Sequence, residues 1–91
     1  KSTKEEALTR LQGVREFVAS LPETEFASVA KLEEAMKAFI AEKGWGNGDT
    51  LWPTRVALSG REKSPSPFEL LFVYQKTLSL ARIDEALALL A

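Results

Sequence analysis

The 91-residue chain contains no cysteine and no histidine. The first absence excludes disulfides, thiolate nucleophiles and thiolate metal ligands. The second removes imidazole, so a zinc site built from His and Cys cannot form, nor can a catalytic triad with an imidazole base. Proline and glycine are scarce, at four and five residues, which excludes collagen-like and low-complexity chains. No apolar run approaches the roughly 18 residues that span a bilayer. The polar start KSTKEEALTR cannot be the core of a signal peptide. These absences fit a reducing, cytoplasmic setting away from membranes. A net charge of -1 excludes a domain that binds nucleic acid by gross electrostatics.

What is present is a 45% hydrophobic, 27% charged chain, long enough for one domain spanning residues 1–91 with a modest core. Its charge is unevenly placed. Residues 1–50 carry seven basic and nine acidic side chains. Residues 51–83 carry Arg55, Arg61, Lys63, Lys76 and Arg82 against only Glu62 and Glu69. Fields reach about 8–10 Å at moderate salt, so a local basic face on a near-neutral domain can meet phosphate. The plainer reading is a solubilising surface.

Apolar periodicity predicts helices throughout. Leu8, Leu11, Val14, Val18 and Leu21 recur at spacings of three and four, giving a helix over about residues 4–20 with Glu5 and Glu6 in its first turn. Val29, Leu32, Met36, Phe39 and Ile40 draw a second stripe, ending at Lys43-Gly44. WGNGD reads as a tight connection, with Asp49 or Thr50 as the cap of a short third helix over residues 51–59. Pro53 is then tolerated in a first turn, and Gly60 takes the left-handed position beyond the end. Ser66-Pro67-Phe68-Glu69 has the pattern of a capping box with proline at the first helical position. That fourth helix turns Phe68, Leu71 and Phe72 inward. Thr77 or Ser79 caps a fifth, carrying Leu80, Ile83, Leu87 and Leu90. The expected fold is all-α: a compact bundle of about five short helices, monomeric and free of metal, with Trp52, Phe68 and Phe72 joining the core.

No catalytic constellation emerges. Glu33-Glu34 and Asp84-Glu85 are adjacent on helices, where neighbours diverge by about 100°. GWGNGD lacks the lysine-serine ending of a phosphate loop. The crowded stretch LWPTRVALSGREKSPSPFE reads better as a presented surface. Trp52 and Arg55 share a side of a short helix, Trp52 packing inward while the Arg55 guanidinium reaches out. Gly60 turns the chain toward a stiff Ser64-Pro65-Ser66-Pro67 loop, whose rigidity lowers the ordering cost of binding. Such an arrangement can stack on, or hydrogen bond to, unpaired bases. Arg61 and Lys63 are placed to meet phosphate. The alternative is a helical interaction or scaffold domain docking through its Trp52 face.

WPTRVALSGREKSPSPFELL followed by LARIDEAL resembles the C-terminal anticodon-binding region of bacterial-type glutamyl-tRNA synthetases, in detail over about residues 51–90 and more loosely over the helix at 25–43. The resemblance implies an excised terminal all-helical subdomain of a larger ligase, not catalytic alone. Its partners would be the anticodon stem-loop of glutamate tRNA and the remaining synthetase domains. It implies anticodon contacts from Arg55, Ser64, Pro65, Pro67 and Lys37, and backbone contacts from Arg61, Lys63 and Lys76. Structural roles fall to Trp52, Gly60, Ser66, Glu69 and Arg82. The fragment itself would hold no cofactor, ATP and Mg belonging to the parent enzyme. Three positions depart from the family pattern. Thr54 stands where leucine is usual, and Gln75 and Leu78 where glycine and a charged residue are common, so the turn between the last helices is expected to differ.

Overall fold

The computed structural model describes residues 4–60 and 65–90. Four α-helices and one 3-10 helix follow in order: α1 (Lys4–Ser20), the 3-10 helix (Glu23–Ala27), α2 (Val29–Lys43), α3 (Asn47–Ser59) and α4 (Pro67–Leu90). Among the described residues there is no strand. Helix α4 is the hub and packs against all the other elements.

The all-α fold expected from periodicity is the one observed. The two predicted stripes share one buried cluster, Leu11, Val14 and Val18 from α1 and Leu32, Met36 and Ile40 from α2. Leu58 of α3 and Leu71 and Ile83 of α4 complete the interior, each essentially inaccessible to water. Helix α2 opens on Ser28, whose hydroxyl accepts from the Lys31 amide at 3.1 Å. It closes on Gly44, where the sequence ends it, in the left-handed conformation at φ 73°. The amides of Gly44 and Trp45 reach back to Ala41 O and Ile40 O at 3.0 and 3.1 Å, satisfying two terminal carbonyls. Gly60 closes α3 in the same conformation at φ 77°, its amide 2.7 Å from Val56 O.

Four expectations need correcting. The first concerns α3, which begins at Asn47 rather than Leu51. Gly46, in extended conformation, is its cap, and Gly46 O accepts from both the amide and the hydroxyl of Thr50, at 3.2 and 2.9 Å. Burial of Thr50 drives this early start, so neither Asp49 nor Thr50 is the cap. Pro53 consequently lies in the helix interior, leaving the Asp49 carbonyl without its usual donor on an exposed turn.

The second correction is Trp52, which is 48% exposed rather than packed in the core. Thr50, Pro53, Thr54 and Leu58 occupy the inner face of α3. At 100° per residue, Trp52 points about 160° away from Thr54. Thr54, standing for the usual leucine, is fully buried, and its hydroxyl donates to Thr50 O at 2.8 Å. The third is Phe72, at the edge of the α4 stripe and 38% exposed, while Phe68 and Leu71 are buried as expected.

The fourth correction concerns where the last two predicted helices join: the two helical segments of α4 meet at Gln75, whose backbone is not helical, and the break is not a cap at Thr77 or Ser79. Ser79 is fully buried inside the C-terminal half of α4. Gln75 stands where the resembled family commonly has glycine, and its backbone explains that preference. It sits at φ 60°, ψ -173°, a conformation open almost only to glycine and costing other residues about 1–3 kcal/mol.

Candidate nucleic-acid interface

The features singled out in the sequence gather where α3 ends and α4 begins. Gly60, the cap of α3, and Pro65, two residues before α4, are separated by four residues and so lie within about 18 Å of each other. The start of α4 is built as predicted. The Glu69 amide donates to Ser66 Oγ at 3.2 Å, and Ser66 N donates to Glu69 Oε1 at 3.0 Å, a closed capping box. Pro67 is the first helical residue and is buried. Its burial suits the first turn of a helix, where the missing N–H of proline leaves no bond unmade. Pro65 is exposed beside it. Arg61, Lys63 and Ser64 lie outside the described residues.

Lys37 reaches this corner from α2. Its ammonium lies 6.0 Å from the centroid of the Phe68 ring, one residue after Pro67. The same ammonium bonds Glu33 at 2.7 Å, one turn away on the same helix. Both partners are about half exposed, so the pair is weak and open to exchange with a phosphate. Sequence reasoning placed Lys37 here only loosely, and the ring contact now ties it to the start of α4.

Arg55 behaves differently. Its Nε is shielded from water, and its guanidinium makes no hydrogen bond or ion pair among the described residues. A shielded donor without a partner costs on the order of 1–3 kcal/mol, and sites that await a ligand tolerate this. About 60° round the helix stands the exposed Trp52 ring. Trp52 contacts no other ring and no cation among the described residues. The residue expected to be a structural anchor is therefore an open aromatic face beside an unsatisfied arginine.

The other assigned residues are occupied. Lys76 donates to Leu21 O at 2.7 Å in a partly buried contact, which ties its ammonium to the backbone. Arg82 stacks over Tyr74 at 5.2 Å, in keeping with a structural role. It also borders an apolar groove of about 420 Å³ between α1, α3 and the end of α4, where Leu11, Trp52, Val56 and Leu90 form walls. Among the described residues no group of three or more carboxylates converges to hold a metal ion, and no helix is long and apolar enough to cross a membrane. The Arg15 guanidinium is raised above its ordinary pKa by its two bonds to Asp84, at 2.9 and 3.3 Å, a pair that ties α1 to the C-terminal half of α4.

Comparison with known proteins places the chain as a whole in a family. The family model described as an anticodon binding domain matches residues 1–87. Glutamate--tRNA ligase 2 of Cereibacter sphaeroides is 35% identical over 77 residues, covering 85% of this chain and 16% of the ligase. The glutamate--tRNA ligase of Lachnoclostridium phytofermentans is 32% identical over 88 residues, covering 96% and 18%. That of Moorella thermoacetica is 36% identical over 84 residues, covering 92% and 16%. The chain thus spans less than a fifth of the length of the curated relatives it matches. No solved structure gives a match.

Proposed function

From the premise that this chain belongs to the anticodon binding domain family, we propose that it binds the anticodon stem-loop of glutamate tRNA. In this reading it positions that tRNA for a parent glutamate--tRNA ligase in the cytoplasm. ATP and Mg are handled by the remaining domains of that ligase, and this domain contributes binding alone, as a monomer. The carrying observation is the Arg55 guanidinium, shielded at Nε and without a partner among the described residues, beside the half-exposed ring of Trp52.

The chemistry divides by residue. Arg55 offers a planar fork of donors suited to a base edge, and Trp52 offers a face on which an unpaired base can stack. Pro65, exposed just before α4, and Ser64 are the further base contacts of this reading. Lys37, Arg61 and Lys63 supply attraction to phosphate, which orients the stem-loop without reading it. With few phosphate contacts the affinity of the domain alone is weak and falls modestly with salt.

The test is titration of labelled stem-loops with matched anticodon variants. Arg55→Ala is expected to cost roughly 1–3 kcal/mol of discrimination between anticodons, the range of a good base contact. Lys63→Ala weakens all stem-loops alike and lowers the salt slope by up to about one unit. Uniform loss of affinity for Arg55→Ala, with selectivity unchanged, rules out base reading by that residue.

A further inference from the structure

The bend in α4 leaves carbonyls unpaired, and two consecutive side chains collect them. Gln75 Nε2 donates to Phe72 O at 2.5 Å, the turn in which α4 loses its regular helical donors. The same nitrogen donates to Phe26 O at 3.1 Å, near the end of the 3-10 helix. Lys76 Nζ donates to Leu21 O at 2.7 Å, between α1 and the 3-10 helix. Residues 75–76 therefore clasp three chain terminations that regular structure leaves open: the end of α1, the end of the 3-10 helix, and the break in α4.

The clasp has a direction. The segment before the bend carries Phe68 at its far end, under the Lys37 ammonium. Seven residues of helix separate Phe68 from Gln75, about 10 Å, so a 10° change at the bend moves that end by about 2 Å. A displacement of this size is enough to degrade a binding site. The backbone of Gln75 is one that glycine would adopt freely, so a side chain here is useful for its amide and not for its conformation. We infer that Gln75 is a positioning residue for the RNA-binding corner: its amide sets the tilt of the first half of α4 and so holds Phe68, Pro65 and Lys37 in register. This inference rests on the function proposed above. It adds a residue that touches no RNA and lies two turns from the site.

Gln75→Gly separates positioning from stability, because it removes the amide while releasing the backbone. Two measurements on the 91-residue chain decide the matter. The first is the NMR shift of the Lys37 ε-methylene protons, which sense the Phe68 ring whether or not RNA is present. The second is the affinity for the anticodon stem-loop of glutamate tRNA, read well below the melting temperature. The expected result is a melting temperature at or above that of the unmodified chain, a Lys37 shift moved toward its free value, and affinity reduced roughly tenfold. Lys76→Met, which removes the other half of the clasp, should move the Lys37 shift in the same direction. A Lys37 shift unchanged in Gln75→Gly overturns the inference, and so does a moved shift with unchanged affinity. Should the unmodified chain fail to bind the stem-loop at all, the proposed function is the reading that fails, and the Lys37 shift alone then decides whether the clasp sets the tilt.

Discussion

The two tryptophans are seven residues apart and live in opposite circumstances. Trp45 is tied in on every side. Its backbone amide closes α2, and its ring meets Phe39 edge-on at 5.8 Å. Phe39 in turn stacks on Phe17 at 4.4 Å, joining α1 to α2. Arg10 and Lys43 lie over the Trp45 ring at 5.4 and 6.0 Å, and its edge lies against Gly13. Trp52 has none of this and shows half its surface to solvent. The same side chain thus completes packing in one place and is presented in the other, and what separates them is whether neighbouring groups have already taken the ring's faces.

Truncating each ring should break this symmetry most sharply. Trp45→Ala removes a half-buried aromatic and its stacked and cationic neighbours. It is expected to cost about 2–3 kcal/mol of stability, short of the range for a fully buried tryptophan. Denaturant unfolding measures that loss, while affinity for RNA per folded molecule should hold. Trp52→Ala should do the reverse, moving stability by less than about 0.5 kcal/mol, as surface substitutions do. It should weaken stem-loop binding by about 1–3 kcal/mol, the worth of one stacked base. Equal stability losses in the two variants would dissolve the distinction.

A smaller effect probes why Trp45 is held. A β-carbon at Gly13 would lie 2.6 Å from the ring carbon Cη2 of Trp45, inside any permitted contact. Gly13→Ala gains roughly 0.5–1 kcal/mol of helix propensity. Against this, the ring must shift while Phe39, Arg10 and Lys43 hold it, and overpacking of this kind costs about 1–3 kcal/mol. The clash should win, for a net loss of about 1 kcal/mol by thermal unfolding. A stabilised Gly13→Ala would show that Trp45 is free to move and that its packing is looser than its contacts imply.

The same contrast explains what could be read from the sequence. The ends at Gly44 and Gly60 and the Ser66–Glu69 capping box were legible because their chemistry is local, settled within four residues. The stripes of α1 and α2 were legible because both bury one face. The start of α3 was not, since Asn47-Gly48-Asp49 has turn composition and only burial of Thr50 makes it helical. Trp52 was misplaced for a related reason: size and hydrophobicity argue for the interior, while the register of α3 gives that face to Thr50, Thr54 and Leu58. A turn between the last helices is expected from the sequence around Gln75 and Leu78, but the tie of the Gln75 amide to Phe26 O, 49 residues away, is specified by nothing local. At the candidate interface the sequence singles out Arg55, and the structure leaves its Nε without a partner. The loop cations Arg61 and Lys63 lie outside the described residues.

The finest separation comes from keeping the rings aromatic. Trp52→Phe preserves a stacking face of smaller area, so binding should fall by less than about 0.5 kcal/mol, a fraction of the worth of a stacked base. Stability should move little, because the ring is half exposed and a phenylalanine ring can still line the groove beside Leu11 and Val56. Trp45→Phe, by contrast, leaves Trp52 as the sole tryptophan and turns it into a reporter. Its emission should be readily quenched by acrylamide and should change when the stem-loop is added. In the complementary Trp52→Phe chain the remaining emission, from Trp45, should be better protected and indifferent to RNA. Stacking on an exposed ring predicts this pairing of small energetic and large optical effects. If Trp45 emission responds to the stem-loop and Trp52 emission does not, the base-stacking role belongs to the other face of the domain, and the corner between α3 and α4 loses its aromatic platform.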